Sequence, residues 1–362
     1  MRFIRLLTGC WTAPGIIFLW LSVAMAGTAE ELSLDDLARA GHWKQIRLVV
    51  SQRTGTDTAT LYWRSRIKQA FGELDAAETL AKQVVATDRT QASYHQALSS
   101  ISLEQLSNRP GMVRTMRLAR DVKGELEAAL AIEPKNIDAL RALMEFLWSA
   151  PAIGGGDRKR ARELADEIAR ADALQGLLAQ ARMSELASGT ELPKAEGLFR
   201  KAVQTAPKDY KARCLLAEFY LNANNWPAAA QEAKAAIALA PEQARGYTTL
   251  ATALAHQGKG SELDECLEKA QKAVPDDWNP TFQAGKALML DGNDLDRAER
   301  YLQTYLKQEP EGRTPTWGAA HWRLGLLSEK RGNKQKAVEE LETAIRLQPS
   351  LAGAKKDLDR LK

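Results

Sequence analysis

Prolines recur at a nearly fixed interval through the C-terminal half of the chain. Pro207, Pro241 and Pro275 are each 34 positions apart, and Pro310 and Pro349 follow after a further 35 and 39 positions. Proline lacks the backbone N–H that would continue a helix, so each of these residues predicts a recurrent helix end. A period of this length predicts an array of repeated units in which each unit packs on its neighbours.

The residues between these prolines predict two helices in each unit. In one unit, Leu216, Ala217 and Tyr220 have the spacing of one helical face, and a turn follows at Asn224 and Asn225. The chain is 45% hydrophobic but only 6% aromatic, a composition that suits closely packed helices. The helix-lining positions of the clearest units are Met183, Leu186, Ala195, Phe199 and Ala202; Ala229, Ala233 and Ala236; Leu250, Ala251, Leu254 and Ala270; Ala284, Gly285, Leu288, Ala298 and Leu302; and Leu324, Gly325, Ala337, Leu341 and Ala344.

These positions resemble the signature of the tetratricopeptide repeat, in which a small residue follows a large one on helix A and small residues recur on helix B. The resemblance covers roughly residues 58–350 and is strongest from residue 173 onward. It implies an all-α fold, a right-handed α-solenoid of about eight stacked helix-turn-helix repeats. Residues 27–57 are predicted to form a degenerate first helical unit, and residues 351–362 a capping helix with charged residues that meet water.

The first 26 residues are typical of a bacterial export signal. Arg2 and Arg5 give a positive start, and residues 16–21 form an apolar core before Ala24-Met25-Ala26. This pattern predicts a cleaved signal peptide over residues 1–26 and a mature protein that is periplasmic or secreted. Two alternatives stay open: an uncleaved N-terminal anchor, since residues 6–26 are uncharged, and lipid attachment at Cys10, since the preceding residues resemble a lipobox.

No sequence motif predicts catalysis, a metal site or a cofactor. The motifs H-E-x-x-H, C-x-x-C and G-x-S-x-G are absent, and the four histidines are spread over different repeats. The formal net charge of +4 is too balanced to predict nucleic-acid binding. Cys214 and Cys266 are predicted to lie on different kinds of helix with their side chains apart, which favours two free thiols over a disulfide.

The resemblance implies a non-enzymatic protein–protein interaction scaffold. In such a solenoid the A helices line the concave surface, which would bind an extended segment of another cell-envelope protein in assembly, export or surface-polymer machinery. We call the predicted binding residues, carried over from the family's inward positions, the groove. The groove comprises Arg141, Glu145, Trp148, Gln180, Ser184, Lys211, Glu218, Asn222, Arg245, Thr248, Thr252, His256, Asn279, Phe282, Lys286, Trp322 and Leu326. Glu218 replaces the asparagine of the family's chaperone-tail binders, which disfavours that specificity.

Three consecutive glycines, at positions 154–156, interrupt one repeat. The step from Leu140 to Ala161 is 21 positions where the repeat predicts 16, so an insertion of five lies near Pro151 to Gly155, in the turn between helices A and B. The phosphate-loop motif is absent because Arg160, not Ser or Thr, follows Lys159. The pattern predicts an elongated turn in which Asp157 caps helix B.

The same stretch leaves a second function open. Free amides at a helix start attract anions, and four cations follow the glycines. We call these residues the cationic turn and predict them as a possible anion contact: Arg158, Lys159, Arg160 and Arg162. With the groove tryptophans Trp148 and Trp322, they support the alternative of a glycan or anionic-lipid binding module with a peripheral contact to the membrane.

Overall fold

A computed structural model describes residues 33–107, 111–312 and 315–362. Within these ranges the chain forms nineteen α-helices and no strand. The helices are α1 (Leu34–Ala40), α2 (Trp43–Ser51), α3 (Thr58–Ala70), α4 (Leu74–Thr87), α5 (Ala92–Ser107), α6 (Met112–Ile132), α7 (Ile137–Ser149), α8 (Arg158–Ala171), α9 (Ala173–Ala187), α10 (Leu192–Thr205), α11 (Tyr210–Asn222), α12 (Trp226–Leu239), α13 (Ala244–His256), α14 (Gly260–Ala273), α15 (Asn279–Asp291), α16 (Leu295–Leu306), α17 (Trp317–Lys330), α18 (Lys334–Leu347) and α19 (Ala352–Leu361).

Helices α3 to α18 form eight successive pairs, each joining an A helix to a B helix. Each helix packs on the next one along the chain, and A helices of neighbouring pairs also contact one another, as α11 does α13 and α13 does α15. From α11 to α17 the A helices therefore form one continuous row. Helix α19 packs on α18 at the C-terminal end. The predicted all-α solenoid of about eight repeats with a capping helix is confirmed.

Alanines at the signature positions allow the helices of one pair to approach closely. On α12, Ala229, Ala233 and Ala236 are at most 1% exposed, and the first two share a core cluster with the buried Leu216 and Ala217 of α11. Because a methyl group is the whole side chain, the two backbones pack without a large residue between them. The repeat pattern in the sequence is thus the pattern of the core.

The repeat formed by α5 and α6 is longer than the others, and the sequence does not predict whether its extra residues form helix or loop. In the structure α6 has 21 residues, and its first turns are helical from Met112. Met112 and Val113 are 80% and 85% exposed, so this end of α6 extends beyond the helices that cover the rest of it. The insertion therefore lengthens a helix.

The two ends of the array touch. The backbone N–H of Lys44 on α2 donates to Glu311 Oε1 at 2.6 Å, its ammonium donates to the carbonyl oxygen of Asp276 at 2.7 Å, and Arg47 pairs with Glu309 at 2.8 Å. Asp276 lies between α14 and α15, and the two glutamates lie between α16 and α17. No sequence pattern predicts this contact. We call it the closure contact; its residues are Lys44, Gln45, Arg47, Asp276, Glu309 and Glu311.

Cys214 and Cys266 are both free and buried, which agrees with the predicted free thiols. None of the helices in the described ranges is long and apolar enough to cross a membrane. The predicted signal peptide over residues 1–26, with Cys10, lies outside the described residues.

Candidate functional site

Four successive A helices enclose a charged cavity of about 320 Å³, which we call the central cavity. Six groove residues line it, so residues up to 104 positions apart in the sequence converge, from Arg141 to Arg245. Arg182 and Glu185 of α9, which the sequence did not single out, also line it. The six groove residues are Arg141 and Glu145 on α7, Lys211, Glu218 and Asn222 on α11, and Arg245 on α13.

Most charges of the central cavity are paired inside the protein. The guanidinium of Arg245 binds both carboxylate oxygens of Glu218, with Nη2 2.6 Å from Oε2. Arg182 donates to Glu185 at 2.7 Å and lies 3.7 Å from Glu145. Such charge-assisted pairs fix the positions of the long side chains around the cavity.

Lys211 is the exception. Its ammonium forms no hydrogen bond or ion pair with any described residue, although the side chain is half-buried. Burial lowers the pKa of Lys211, and the nearby charge of Arg141 lowers it further. The central cavity therefore holds a partly desolvated cation with no counter-ion.

Two further cations lie along the row of A helices. Burial lowers the pKa of Lys286 on α15 and of Arg323 on α17, and the charge of Arg323 lowers that of Lys286 further. Neither forms an ion pair within the described ranges, and Arg323 Nε is buried without a hydrogen-bond partner. The Arg323 guanidinium lies 4.0 Å from the centre of the Trp322 ring. The sequence pattern did not single out Arg323. This residue occupies the same position in its repeat as Leu215, which lines the central cavity.

Four groove residues between these two cationic regions are hydrogen-bonded within the protein. Thr252 donates to the carbonyl oxygen of Thr248 at 2.7 Å, and Asn279 contacts the hydroxyl of Thr248 at 3.4 Å. The His256 ring is 2.6 Å from Asp291 and stacks on Trp226 with centroids 4.1 Å apart. These side chains are half-buried and leave a polar surface along α13 and α15.

Three groove predictions are corrected by the structure. Phe282 is 4% exposed and packs on Tyr305 in the core, because a large apolar ring at this position fills the space between helices. Trp322 is covered by the capping helix α19, and its indole N–H donates to Asp357 at 2.8 Å. Leu326 packs partly buried against the main core cluster. None of the three presents an open binding surface.

The remaining groove residues, Trp148, Gln180 and Ser184, line a larger cavity of about 590 Å³ together with Arg158 and Arg162 of the cationic turn. We call it the tryptophan cavity, because both guanidiniums lie 5.3 Å from the centre of the Trp148 ring. The sequence treats the groove and the cationic turn as separate surfaces, and the structure joins them.

The cationic turn divides into two halves. Arg160 points away from Trp148 and pairs with Glu167 at 2.7 Å and Glu163 at 3.2 Å, while Lys159 is exposed. Asp157 accepts hydrogen bonds from the backbone N–H groups of residues 159 and 160, so it caps helix B as predicted. These amides are therefore occupied, and the prediction that they are free to attract an anion is wrong.

The three glycines are explained by the turn itself. Residues 152–154 form one turn of 3-10 helix, and Gly155 follows with φ of 91°, a left-handed conformation that favours glycine. A Cβ at Gly156 would lie 1.8 Å from the carbonyl oxygen of Ala150, so no larger residue fits there. The elongated turn is confirmed, and Gly155 and Gly156 are required by its backbone conformation.

Three of the four histidines each have a carboxylate partner. His95, His256 and His321 each lie within 2.7 Å of one carboxylate, on Glu125, Asp291 and Glu340 respectively. The described residues contain no group of three or more histidine, cysteine or acidic side chains that could hold a metal ion.

Comparisons with known proteins also find tetratricopeptide repeats. Residues 190–254 match the family model described as tetratricopeptide repeat. Similar solved structures include a thermophilic tetratricopeptide repeat protein of Thermus thermophilus, at 23% identity, with 52% of this chain and 98% of that chain covered and a TM-score of 0.40. A tetratricopeptide repeat protein from Parabacteroides merdae matches at 15% identity over 85% and 99% of the two chains, with a TM-score of 0.45. Yeast Tom70 matches at 13% identity over 91% and 86%, with a TM-score of 0.48.

No curated protein matches the chain significantly. The matched segment spans α10 to α13, and the same pairing of helices A and B recurs in the pairs on either side of it. Over residues 190–254 the chain therefore carries tetratricopeptide repeats.

Proposed function

We propose that this protein is a non-enzymatic scaffold of the bacterial cell envelope that binds an extended, acidic segment of a partner protein along its A helices. Proteins with this repeat are generally non-catalytic scaffolds, and stacked helix pairs offer a long surface to a partner. The central cavity and the Lys286–Arg323 pair lie on A helices of different repeats. A ligand that reaches both crosses several repeats, which an extended segment does most simply.

The unpaired cations carry the proposal. A charged group loses hydration when it is partly buried, and an opposite charge within hydrogen-bond distance offsets this loss. Lys211, Lys286 and Arg323 are partly buried without such a charge in the described chain. Acidic side chains of a partner would supply it, so the partner segment is expected to carry several carboxylates.

The proposed location of the protein in the cell envelope is inferred from the sequence of residues 1–26. Their positive start, apolar core and A-x-A end are typical of a cleaved export signal. Fractionation of the source bacterium and mass spectrometry of the mature N-terminus test this part. A chain that begins at Gly27 in the periplasm or medium would support it, and an intact N-terminus in the cytoplasm would overturn it.

Affinity purification of the chain from envelope extract tests the binding function. The matched variants are Lys211→Glu with Lys286→Glu, and Lys201→Glu, which reverses an exposed cation on the B helix α10. The wild type and Lys201→Glu are expected to enrich the same protein, and the double variant is expected to lose it.

Equal enrichment by all three forms would overturn the acidic-segment proposal. Retention on envelope polysaccharide or anionic vesicles with no enriched protein would favour the glycan or lipid alternative. Thermal unfolding of each variant provides the folding control.

A further inference from the structure

The tryptophan cavity has two arginines with no counter-ion. Arg158 and Arg162 lie one turn apart on α8 and point over the same indole ring, and neither forms an ion pair within the described residues. Two guanidiniums near one ring repel each other, and the attraction of the ring offsets this only in part. Arg160 on the same helix has two glutamate partners. Both arginines on the face of α8 that lines the cavity therefore lack an ion-pair partner in the described chain, whereas Arg160 has two.

The opposite wall of the cavity offers unused polar groups. Ser184 on α9 is only 6% exposed, and its hydroxyl has no hydrogen-bond partner in the described part of the chain. The half-buried Gln180, one turn earlier on the same helix, also has no hydrogen bond from its amide group. The Ser184 oxygen is open to the cavity and has no partner among the described residues, so it is free to hydrogen-bond a polar ligand there.

Acidic residues at the rim limit the charge of the site. Asp166 lines the cavity from α8 without an ion pair, and Glu191 lies 3.6 Å from Lys194. The net charge of the lining is +1, from three cations and two carboxylates. A ligand with one compact anionic group fits this balance better than a polyanion does.

We propose that the tryptophan cavity binds a phosphate or carboxylate group of a soluble ligand between Arg158, Arg162 and Ser184. A guanidinium donates two parallel hydrogen bonds to such a group, and two arginines one helical turn apart can each take one side of it. The volume of about 590 Å³ is that of a small-molecule site. Because the site is concave, a headgroup would have to leave the plane of a bilayer to reach it. The site lies apart from the central cavity, so it does not rest on the proposed binding of an acidic segment.

Calorimetric titration of the full chain at low salt tests the site with inorganic phosphate and acetate as probes. The test variant is Arg158→Gln with Arg162→Gln, and the matched control is Arg160→Gln, an adjacent arginine that already has carboxylate partners. We expect the test variant to bind at least one of the two probes about tenfold more weakly or worse. Arg160→Gln should remain within about twofold of the wild type, because its charge is neutralised locally.

Two further variants sharpen the result. Asp166→Asn removes the one unpaired carboxylate of the lining and should bind the probe more tightly than the wild type. Ser184→Ala should bind it more weakly, with unchanged thermal unfolding. No heat of binding with either probe, or equal losses for Arg158→Gln/Arg162→Gln and Arg160→Gln, would overturn the proposal. The last experiment is sedimentation with vesicles of phosphatidylglycerol. If the protein binds these vesicles more tightly than it binds free phosphate, the site is a membrane contact, and the proposal of a soluble ligand is overturned.

Discussion

At the scale of single residues, Gly176 lies where two repeats approach closely. A Cβ at this position of α9 would lie 2.4 Å from both Cα and Cβ of Ala169 on α8, which is too close for any side chain. The neighbouring helix must move if glycine is replaced, because the obstructing atoms include backbone. Gly197 on α10 is also within a helix, but nothing lies within 4 Å of the corresponding point.

Gly176→Ala is expected to lower the free energy of unfolding by about 1–3 kcal/mol, since overpacking forces backbone shifts. Gly197→Ala is the control and should raise it by about 0.5–1 kcal/mol, because alanine favours helix more than glycine does. Urea denaturation of both variants measures the two changes. Equal stability of Gly176→Ala and the wild type would mean that α8 and α9 are less closely packed than described.

Residue positions in the repeat predicted part of the lining of the central cavity. Six groove residues converge in the central cavity because the repeat fixes which positions of an A helix face inward. The same repeat position holds Thr248 and, in the next repeat, Phe282, yet the threonine stays half-exposed while the phenylalanine enters the core. Periodicity predicts where a Cβ lies, whereas the size of the side chain and its neighbours decide which surface it joins.

At the scale of helices, the long turn before α8 shows how one insertion is accommodated. The two backbone hydrogen bonds to Asp157 begin the helix, and the N–H of Asp157 itself donates to the carbonyl oxygen of Leu147 on α7 at 2.9 Å. Asp157 therefore joins the end of one helix to the start of the next. This capping role was predictable, because an aspartate that follows a turn and precedes helical spacing is a common cap.

Replacing the cap tests this role. Asp157→Ala is expected to destabilise the protein by about 0.5–2 kcal/mol, and Asp157→Ser, which keeps an acceptor oxygen, should lose much less. Chemical denaturation followed by circular dichroism measures both. Identical midpoints for the alanine and serine variants would contradict a side-chain cap.

The extended end of α6 was less predictable from its sequence. Met112, Val113 and Met116 are apolar residues that would favour a buried position, yet all three are exposed. The sequence shows apolar spacing but does not specify whether another helix lies opposite. Because this repeat is longer than its neighbours, no neighbouring helix of the described chain covers the apolar side chains at its end.

At the scale of the whole molecule, the closure contact joins residues more than 230 positions apart, such as Lys44 and Asp276. Its geometry depends on the small rotation between each repeat and the next, summed over the array. No local sequence pattern specifies this summed rotation. The sequence therefore predicts the solenoid but not the closure contact.

Glu311 makes the closure contact dependent on pH. Burial raises the pKa of its carboxyl to about 7 from an ordinary 4.5, despite the hydrogen bond and attraction of Lys44, and the negative charge of Asp276 also raises it. A raised pKa means that the closed form binds the proton more tightly than the open form. This contribution to closure is fully present below pH 4.5 and is lost as the pH rises through about 7.

Hydrogen exchange of residues 309–312, corrected for the intrinsic pH dependence of exchange, measures this effect. Protection is expected to be greater at pH 5 than at pH 8 in the wild type. Glu311→Gln removes the titrating group and should give similar protection at both values. An equal pH dependence in the wild type and Glu311→Gln would show that another group controls the contact.

The central claim for the whole molecule is that a partner segment lies along the row of A helices. Site-specific photo-crosslinking in living cells tests it directly, with the photoreactive residue at Asn222 or Thr252 on A helices and at the exposed Glu268 on the B helix α14 as control. The expected result is that Asn222 and Thr252 crosslink the same acidic protein and Glu268 does not. Crosslinks from Glu268 alone, or none from either A-helix position while a partner co-purifies, would contradict binding in the groove.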